Sequence, residues 1–125
     1  MNDRSIIYQK AYPFALEIIK LYKHLSTEKK EFILSKQLLR AGTSIGANVN
    51  EAISSESKRD FVHKLGIALK EARETSYWLN LLKDSEYIIN EQFIILNDLC
   101  NSLIKILTSI ILTTKERYLK KTANS

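Results

Sequence analysis

Apolar residues recur at intervals of three and four along several stretches of this chain, which is the spacing of amphipathic helices. The most regular stretch covers residues 34–52, and its apolar face consists of Leu34, Leu38, Ala41, Ile45, Val49 and Ala52. Gly42 and Gly46 lie on one flank of that face. Each helical glycine costs about 0.5–1 kcal/mol relative to alanine, so the pair predicts a close approach by another backbone.

The same periodicity predicts four helices, at about residues 11–25, 28–54, 58–84 and 91–118. We start the first helix at residues 11–13, because proline is tolerated in a first turn, whereas Pro13 in a helix interior would cost about 3 kcal/mol. An additional turn over Ser5–Lys10 is the alternative. The second starts at Glu28, beside the positive end of its helix dipole. A capping box at residues 57–60 starts the third helix, and Asn90 followed by Glu91 starts the fourth.

Four helices with short connections and no strand pattern predict an all-α, up-down-up-down four-helix bundle. A single domain covers residues 1–125. The scarcity of breakers, with three glycines and one proline, agrees with a few long helices. The core face of the third helix is predicted to contain Phe61, Leu65, Ala68, Ala72 and Leu79.

The apolar arc of the fourth helix is wider than an isolated bundle requires, spanning about 160° where about 100° suffices. The surplus flank consists of Leu99, Leu103, Ile106 and Ile110. One interpretation is a broad core with this helix sunk in its middle. The other is self-association through the flank, because soluble monomers seldom expose such a patch.

Composition and charge narrow the class of protein. The chain is 45% hydrophobic and 26% charged, which is typical of a soluble globular protein. Its net charge of +5 permits an anionic partner without requiring one. Charged residues interrupt both the first twenty positions and, at Lys105, the most apolar stretch. We therefore expect a cytoplasmic protein without signal peptide or membrane partner.

No catalytic, cofactor or metal signature emerges from the sequence. His24 and His63 fall on different helices, without carboxylates at ligand spacing. The single cysteine, Cys100, lies in an apolar run without a basic partner, so a buried and inert thiol is expected. We expect no enzyme activity, no cofactor and no metal.

A polar row borders the apolar face of the second helix and includes Arg40, Ser44 and Asn48. On the third helix, Glu71 occupies the corresponding edge. If the two edges meet, Glu71 can accept hydrogen bonds from the row, and such a network fixes helix register. The alternative is a ligand or catalytic site.

A basic face is predicted on the third helix, opposite its core. It consists of Arg59, His63, Gly66, Lys70, Arg73 and Tyr77, with Lys58 and Lys64 close by. Basic side chains beside an aromatic ring suit phosphate contacts and base stacking. Lys58, Arg59, Lys70, Arg73 and Tyr77 are therefore candidate nucleic-acid-binding residues. The alternative is an ordinary solvated helix face.

Residues 34–52, LSKQLLRAGTSIGANVNEA, closely resemble the signature of the 23S rRNA intervening-sequence protein family, also called "four helix bundle protein". The resemblance continues through SKRDF at 57–61, KLGIA at 64–68, KEARET at 70–75 and YWLNLLKDS at 77–85. The chain departs from the pattern at Pro13, at Asn50, and at Glu86, where a glycine is expected.

The resemblance implies a bacterial bundle that assembles as a ring-shaped homopentamer without enzymatic activity. The family is also similar to the accessory protein of diversity-generating retroelements, a basic pentamer that works with nucleic acid and a reverse transcriptase. The resulting expectation is a homo-oligomer, with five subunits, that binds RNA or DNA through a basic outer surface. A protein-interaction scaffold that binds no nucleic acid is the alternative.

Overall fold

The structure, a computed structural model, describes residues 3–119, with side chains from residue 6 onward. The described residues form the helices α1 (Asp3–Thr27), α2 (Leu34–Ile53), α3 (Lys58–Asp84) and α4 (Asn90–Thr114). A π-helical turn at Lys115–Leu119 continues α4. No strand occurs within this range, and the predicted all-α class is confirmed.

The four helices occupy the corners of a square. Each helix packs against its neighbours in sequence, and α4 also packs against α1, so within the described range α1 and α3 lie diagonally opposite each other. Gly42 faces Ile18 and Gly46 faces Ala11, so α1 and α2 run antiparallel. The contacts between α2 and α3 and between α3 and α4 reverse in the same way. The topology is therefore up-down-up-down.

The apolar faces predicted from periodicity form the centre of this square. On α2 all predicted core residues are buried except Leu34, which is half-buried. All five predicted core residues of α3 are buried as well. The helical spacing of the apolar residues alone therefore predicted which faces of α2 and α3 point into the core.

The first helix begins earlier than the sequence predicted. It starts at Asp3 rather than at residues 11–13, and Pro13 lies inside it. The additional turns bring Ile7 into the core, where its side chain is 0% exposed. Burying such a side chain stabilises the fold by about 1.5–3 kcal/mol, which is comparable to the cost of an interior proline.

The second helix begins later than predicted, at Leu34 instead of Glu28. In the connection after α1, Lys30 adopts a left-handed conformation with φ 55°, which interrupts the helical path of the backbone before α2. The carboxylate of Glu31 then accepts the backbone N–H groups of Ile33, Leu34 and Ser35 at 3.0, 2.7 and 2.9 Å. These bonds satisfy donors that the first turn of a helix leaves unpaired, so the cap fixes where α2 starts.

The remaining helix starts lie close to their predicted positions. Ser57 caps α3 and accepts the backbone N–H of Asp60 at 3.0 Å, which is one of the two hydrogen bonds of the predicted capping box. Asn90 is the first residue of α4 rather than its cap. In the connection before α4, Glu86 has φ 68°, a left-handed conformation that explains why a glycine is expected there.

The last helix is unusually apolar. Asn90–Leu119 has a hydropathy of 1.6 over its best window and is, in the described part of the chain, the one helix long and apolar enough to cross a membrane by length and composition. The core helix of a soluble bundle meets the same criterion, and Leu103 and Leu107 of α4 are buried against the other helices. Only 33% of that window is buried, however, so much of its apolar surface faces outward.

The two central glycines mark the closest approach of α1 to α2. A β-carbon at Gly42 would lie 2.8 and 2.9 Å from the γ-carbons of Ile18. A β-carbon at Gly46 would lie 3.7 Å from the carbonyl oxygen of Ala11, which is ordinary contact. A close approach is therefore found at Gly42, where the neighbour is a side chain and not the predicted backbone, whereas the backbone opposite Gly46 leaves room for a β-carbon.

We predict that Gly42→Ala destabilises the protein by about 1–3 kcal/mol, because the new methyl group overlaps the buried Ile18 side chain. Gly46→Ala and Gly66→Ala should instead raise the free energy of unfolding by up to about 1 kcal/mol through improved helix propensity. Gly66 is the matched control, since a β-carbon there meets nothing within 4 Å. Urea denaturation measures all three. A Gly42→Ala variant as stable as Gly66→Ala would contradict this packing.

We also predict a pH-dependent contribution from the Glu31 cap. Burial raises the pKa of this carboxyl, but the hydrogen bonds from Ser35, Leu34 and Ile33 outweigh burial, and the pKa lies below its ordinary value. A lowered folded-state pKa gives stability that is complete above the unfolded pKa and is lost as the pH falls through the folded pKa.

Glu31→Gln should therefore cost about 0.5–2 kcal/mol at pH 7, the range of an N-cap. Below about pH 4 the difference from the wild type should shrink, because the wild-type carboxyl then becomes neutral as well. Urea denaturation at several pH values tests this, with the exposed Glu28→Gln as control. A difference that does not change with pH would show that the charge of Glu31 contributes nothing.

Candidate nucleic-acid interface

The outer face of α3 is continuous and exposed. The core residues of α3 point toward the other helices. All six residues of the predicted basic face are therefore exposed: Arg59, His63, Gly66, Lys70, Arg73 and Tyr77. This face contains no acidic residue. We call these six residues the α3 basic face.

The cations of the α3 basic face have no acidic partner. Among the described residues, Arg59, Lys70 and Arg73 take part in no ion pair. The neighbouring cations differ, since Lys64 lies 3.8 Å from Glu51 and the ammonium group of Lys58 lies 4.6 Å from the centre of the Tyr118 ring. Three strong cations on one helix face are thus available to an external anion.

An aromatic ring lies at the C-terminal end of this face. Tyr77 is 57% exposed, and its ring meets the edge of Trp78 at 5.0 Å and 71°. The indole Nε1 of Trp78 donates a hydrogen bond to Glu74 at 2.9 Å, which fixes the ring that supports Tyr77. An exposed aromatic ring beside cations offers a stacking surface for a base.

The predicted polar network forms only in part between α2 and α3. Arg40 donates to Glu71 at 3.1 Å, the pair that the two edges predict, and it also contacts Glu74. Ser44 donates to the Arg40 carbonyl at 2.6 Å, and the Asn48 amide donates to the Ser44 carbonyl at 2.8 Å. Ser44 and Asn48 therefore bond within α2 instead of reaching Glu71.

Sequence reasoning missed Glu74 as the second acid of this network. It follows Glu71 by three residues and so lies on the same flank of α3. Following that flank of α3 by one turn beyond Glu71 identifies it. Its carboxylate bridges Arg40 and Trp78.

The network affects the electrostatics of the α3 basic face. Glu71 and Glu74 are the only acids between Lys70 and Tyr77 in the sequence, and both are engaged by Arg40 on the α2 side. Their side chains are 15% and 32% exposed. Arg40 thereby offsets one of their two negative charges and holds both carboxylates toward α2, which lowers their effect on the positive charge of the outer face.

The four residues predicted for an oligomer interface are divided between core and surface. Leu103 and Ile110 are 1% and 6% exposed and belong to the core of their own bundle, which corrects the assignment of these two to a surplus flank. They are buried because α1 and α3 close over α4 from both sides. Ile106 is half-buried, and Leu99 is 43% exposed.

Further apolar residues of α4 reach solvent where the sequence analysis did not assign an interface. Ile94, Ile95 and Leu112 are 46%, 63% and 60% exposed. Between α4 and α1 an open cleft of about 310 Å³ is lined by Ile95 with polar residues such as Glu17 and Lys20. The seam between these two helices is therefore open and partly apolar.

The other candidates from the sequence offer little chemistry. Burial raises the pKa of the Cys100 thiol to about 12, and its Sγ donates to the Ala72 carbonyl at 3.1 Å, so the thiol stays protonated at neutral pH. His24 and His63 are exposed on different helices. In the part of the chain that the structure describes, no group of three His, Cys, Asp or Glu side chains is arranged to hold a metal ion.

Comparison with known proteins agrees with this architecture. A family model described as "23S rRNA-intervening sequence protein" matches residues 3–109. The chain is 50% identical to a Bacteroides thetaiotaomicron protein of unknown function from the S23 ribosomal protein family, whose crystal structure superposes with a TM-score of 0.86. That match covers 88% of this chain and 98% of the other. No curated protein matches. This chain belongs to the 23S rRNA-intervening sequence protein family.

Proposed function

We propose that this protein is a cytoplasmic, non-enzymatic homo-oligomer that binds RNA through the α3 basic face. The observation that carries the proposal is the exposed, acid-free row of Arg59, Lys70 and Arg73, whose members have no ion-pair partner among the described residues. Unpaired cations on a rigid helix are arranged to contact phosphates, and each contact releases counterions from the nucleic acid.

The dimensions of the face suit an extended strand or one groove of a duplex. Arg59 and Arg73 are fourteen positions apart on one helix, which corresponds to about 21 Å at 1.5 Å per residue. Several phosphates fit within that length. Tyr77 adds an exposed ring at one end, where an unpaired base can stack.

Self-association is supported by the exposed apolar surface of α4. Ile95 and Leu99 remain 63% and 43% exposed in the single bundle, and a second copy that covers them would remove that surface from water. The count of five subunits follows from the family resemblance. A ring repeats the α3 basic face in every subunit, so several weak contacts on one RNA act together through effective concentration.

The competing proposal is a protein-interaction scaffold that binds no nucleic acid. The observation in its favour is a group of exposed apolar residues in the two hairpin connections, where Phe32, Ile33 and Ile89 are 50%, 77% and 60% exposed. Apolar side chains in such loops suit a protein partner better than a phosphate backbone.

We predict that Arg59→Glu with Arg73→Glu weakens binding to a generic single-stranded RNA by at least tenfold at low salt. The dependence of log Kd on log salt should also flatten, because fewer phosphates are neutralised. The matched control is Lys23→Glu with Lys105→Glu, which changes the net charge equally at exposed sites on α1 and α4. Fluorescence anisotropy across a salt series measures both, with circular dichroism to verify helicity.

Equal weakening by the control variant would mean that RNA responds only to net charge and not to the α3 basic face. Wild-type protein that binds neither RNA nor DNA at low salt would remove the RNA proposal and favour the scaffold.

The oligomer is tested separately by light scattering. We predict that the wild type at micromolar concentration has several times the mass of its 14.4 kDa chain, with five copies as the value that the resemblance implies. Ring closure makes each subunit contribute two interfaces, so the assembly should remain intact on dilution. A monomer at that concentration would end the oligomer proposal without affecting the test of RNA binding.

A further inference from the structure

A groove without charge runs between α1 and α2. It has a volume of about 340 Å³, and none of its nine lining residues is acidic or basic. Its walls include Tyr8, Tyr12 and Leu16 of α1, and its floor contains Gly46 and Ala47 of α2. In a chain in which 26% of residues are charged, an uncharged surface of this size is unusual. We call it the α1–α2 groove.

The α1–α2 groove has a defined shape. Its floor is smooth because it consists of the small residues Gly46 and Ala47. One wall is rigid, since the rings of Tyr8 and Tyr12 stack at 6.0 Å with an interplanar angle of 22°. Tyr12 and Leu16 are nevertheless 55% and 51% exposed. A smooth trough with large apolar walls is suited to an apolar helix ridge.

An uncharged ridge of this kind lies on α4. Ile95, Leu99, Ser102 and Ile106 follow one another at intervals of four, three and four, so they share one stripe of the helix, which we call the α4 ridge. On one side its charged neighbours, such as Lys105, belong to the adjoining outer face, and on the other side Glu17 and Lys20 of α1 border the seam. Ile95 and Leu99 project furthest, at 63% and 43% exposure.

We propose that the α4 ridge of one copy docks into the α1–α2 groove of the next copy. The proposal rests on the oligomer proposed above and identifies its interface. A nucleic acid is a poor occupant of the groove, because the lining offers no cation to a phosphate. A charged peptide would bury an unpaired charge. A second copy of this chain supplies an apolar ridge that has no charged residue of its own.

The positions of the two surfaces favour a closed ring. The groove lies on the α1–α2 side of the square, and the ridge borders the open seam between α4 and α1, so the two surfaces lie on adjacent sides that meet at α1. Adjacent sides of a square bundle meet at about 90°. In a closed ring the two interface planes of each copy enclose about 90° for four copies and about 72° for five, so this angle is close to both. Opposite sides would instead produce an open filament.

The same geometry orients the α3 basic face. If both interfaces meet at α1, then α1 lies nearest the ring axis. Because α3 is diagonal to α1, its outer face points away from the axis in every copy. The interface and the proposed RNA surface are therefore compatible, since neither covers the other.

Cyclic symmetry also predicts which residues meet. Leu16 lies eleven residues before the end of α1 and Leu99 nine residues after the start of α4, at the same end of the bundle. At 1.5 Å per residue these positions are about 16 and 14 Å from that end. Copies in a ring lie at the same level when the bundles stand parallel to its axis, so Leu16 of one copy should contact Leu99 of the next.

The test uses two interface variants. Tyr12→Glu with Leu16→Glu disables the groove and leaves the ridge intact, whereas Ile95→Glu with Leu99→Glu does the reverse. All four side chains are at least 43% exposed in the single bundle, so helicity should be unchanged. Each variant alone should be monomeric by light scattering. Mixed in equal amounts, they should form a dimer that grows no further, because the pair retains one intact interface.

Two outcomes would overturn the inference. If the wild type assembles and either variant still assembles alone, then the oligomer exists but uses other surfaces. If both variants are monomeric and the mixture also remains monomeric, then the two surfaces do not bind each other. Ile33→Glu and Leu112→Glu are the matched controls, since they alter equally exposed apolar residues outside both surfaces and should leave the wild-type mass unchanged.

A cross-linking measurement tests the same pairing without disrupting it. Leu16→Cys and Leu99→Cys are made in separate chains that also carry Cys100→Ala, and the chains are unfolded and refolded together. A short thiol cross-linker should join chains in the mixture and should join none in either chain alone. Equal cross-linking within a single variant would indicate a two-fold interface and contradict the head-to-tail arrangement.

Discussion

The close packing of α1 against α2 is the contact on which the rest of this structure depends. Because Gly42 has no side chain, Ile18 fills the space beside it, and in the next turn Gly46 lies opposite the backbone of Ala11. This approach holds α1 at its corner of the square and closes the core over Ile18. Gly46 also lies in the smooth floor of the α1–α2 groove, so one packing constraint determines both the stability of the bundle and the shape of the proposed interface.

A second consequence of the packing is the separation of charge around α3. Antiparallel contact with α2 brings Arg40 to Glu71 and Glu74, and these half-exposed ion pairs add little stability by themselves. Their larger effect is electrostatic, because Arg40 offsets one of the two negative charges nearest to Lys70 and Arg73. The inner flank of α3 thus fixes helix register, while its outer flank remains available to an anion.

Periodicity predicted the inward faces of α2 and α3 because a buried stripe leaves its spacing in the sequence. Local rules failed where tertiary contacts outweighed them. Pro13 favoured a start of α1 at residues 11–13, with a turn over Ser5–Lys10 only as the alternative, but the burial of Ile7 extends the helix to Asp3. The cap of α2 comes from the long side chain of Glu31, which is not a usual N-cap residue. Leu103 was assigned to a surface because periodicity does not reveal which neighbours close over each flank of α4.

The proposed RNA contact depends on the α3 basic face and not on the basic character of the whole chain. Acylation of individual lysines, measured by mass spectrometry with and without RNA, distinguishes the two, because every exposed lysine reports separately. Acylation of Lys70 and Lys58 should be slower in the presence of RNA, with unchanged rates at Lys23 and Lys105. Equal protection of all four lysines, or protection of Lys23 and Lys105 alone, would contradict the proposed contact.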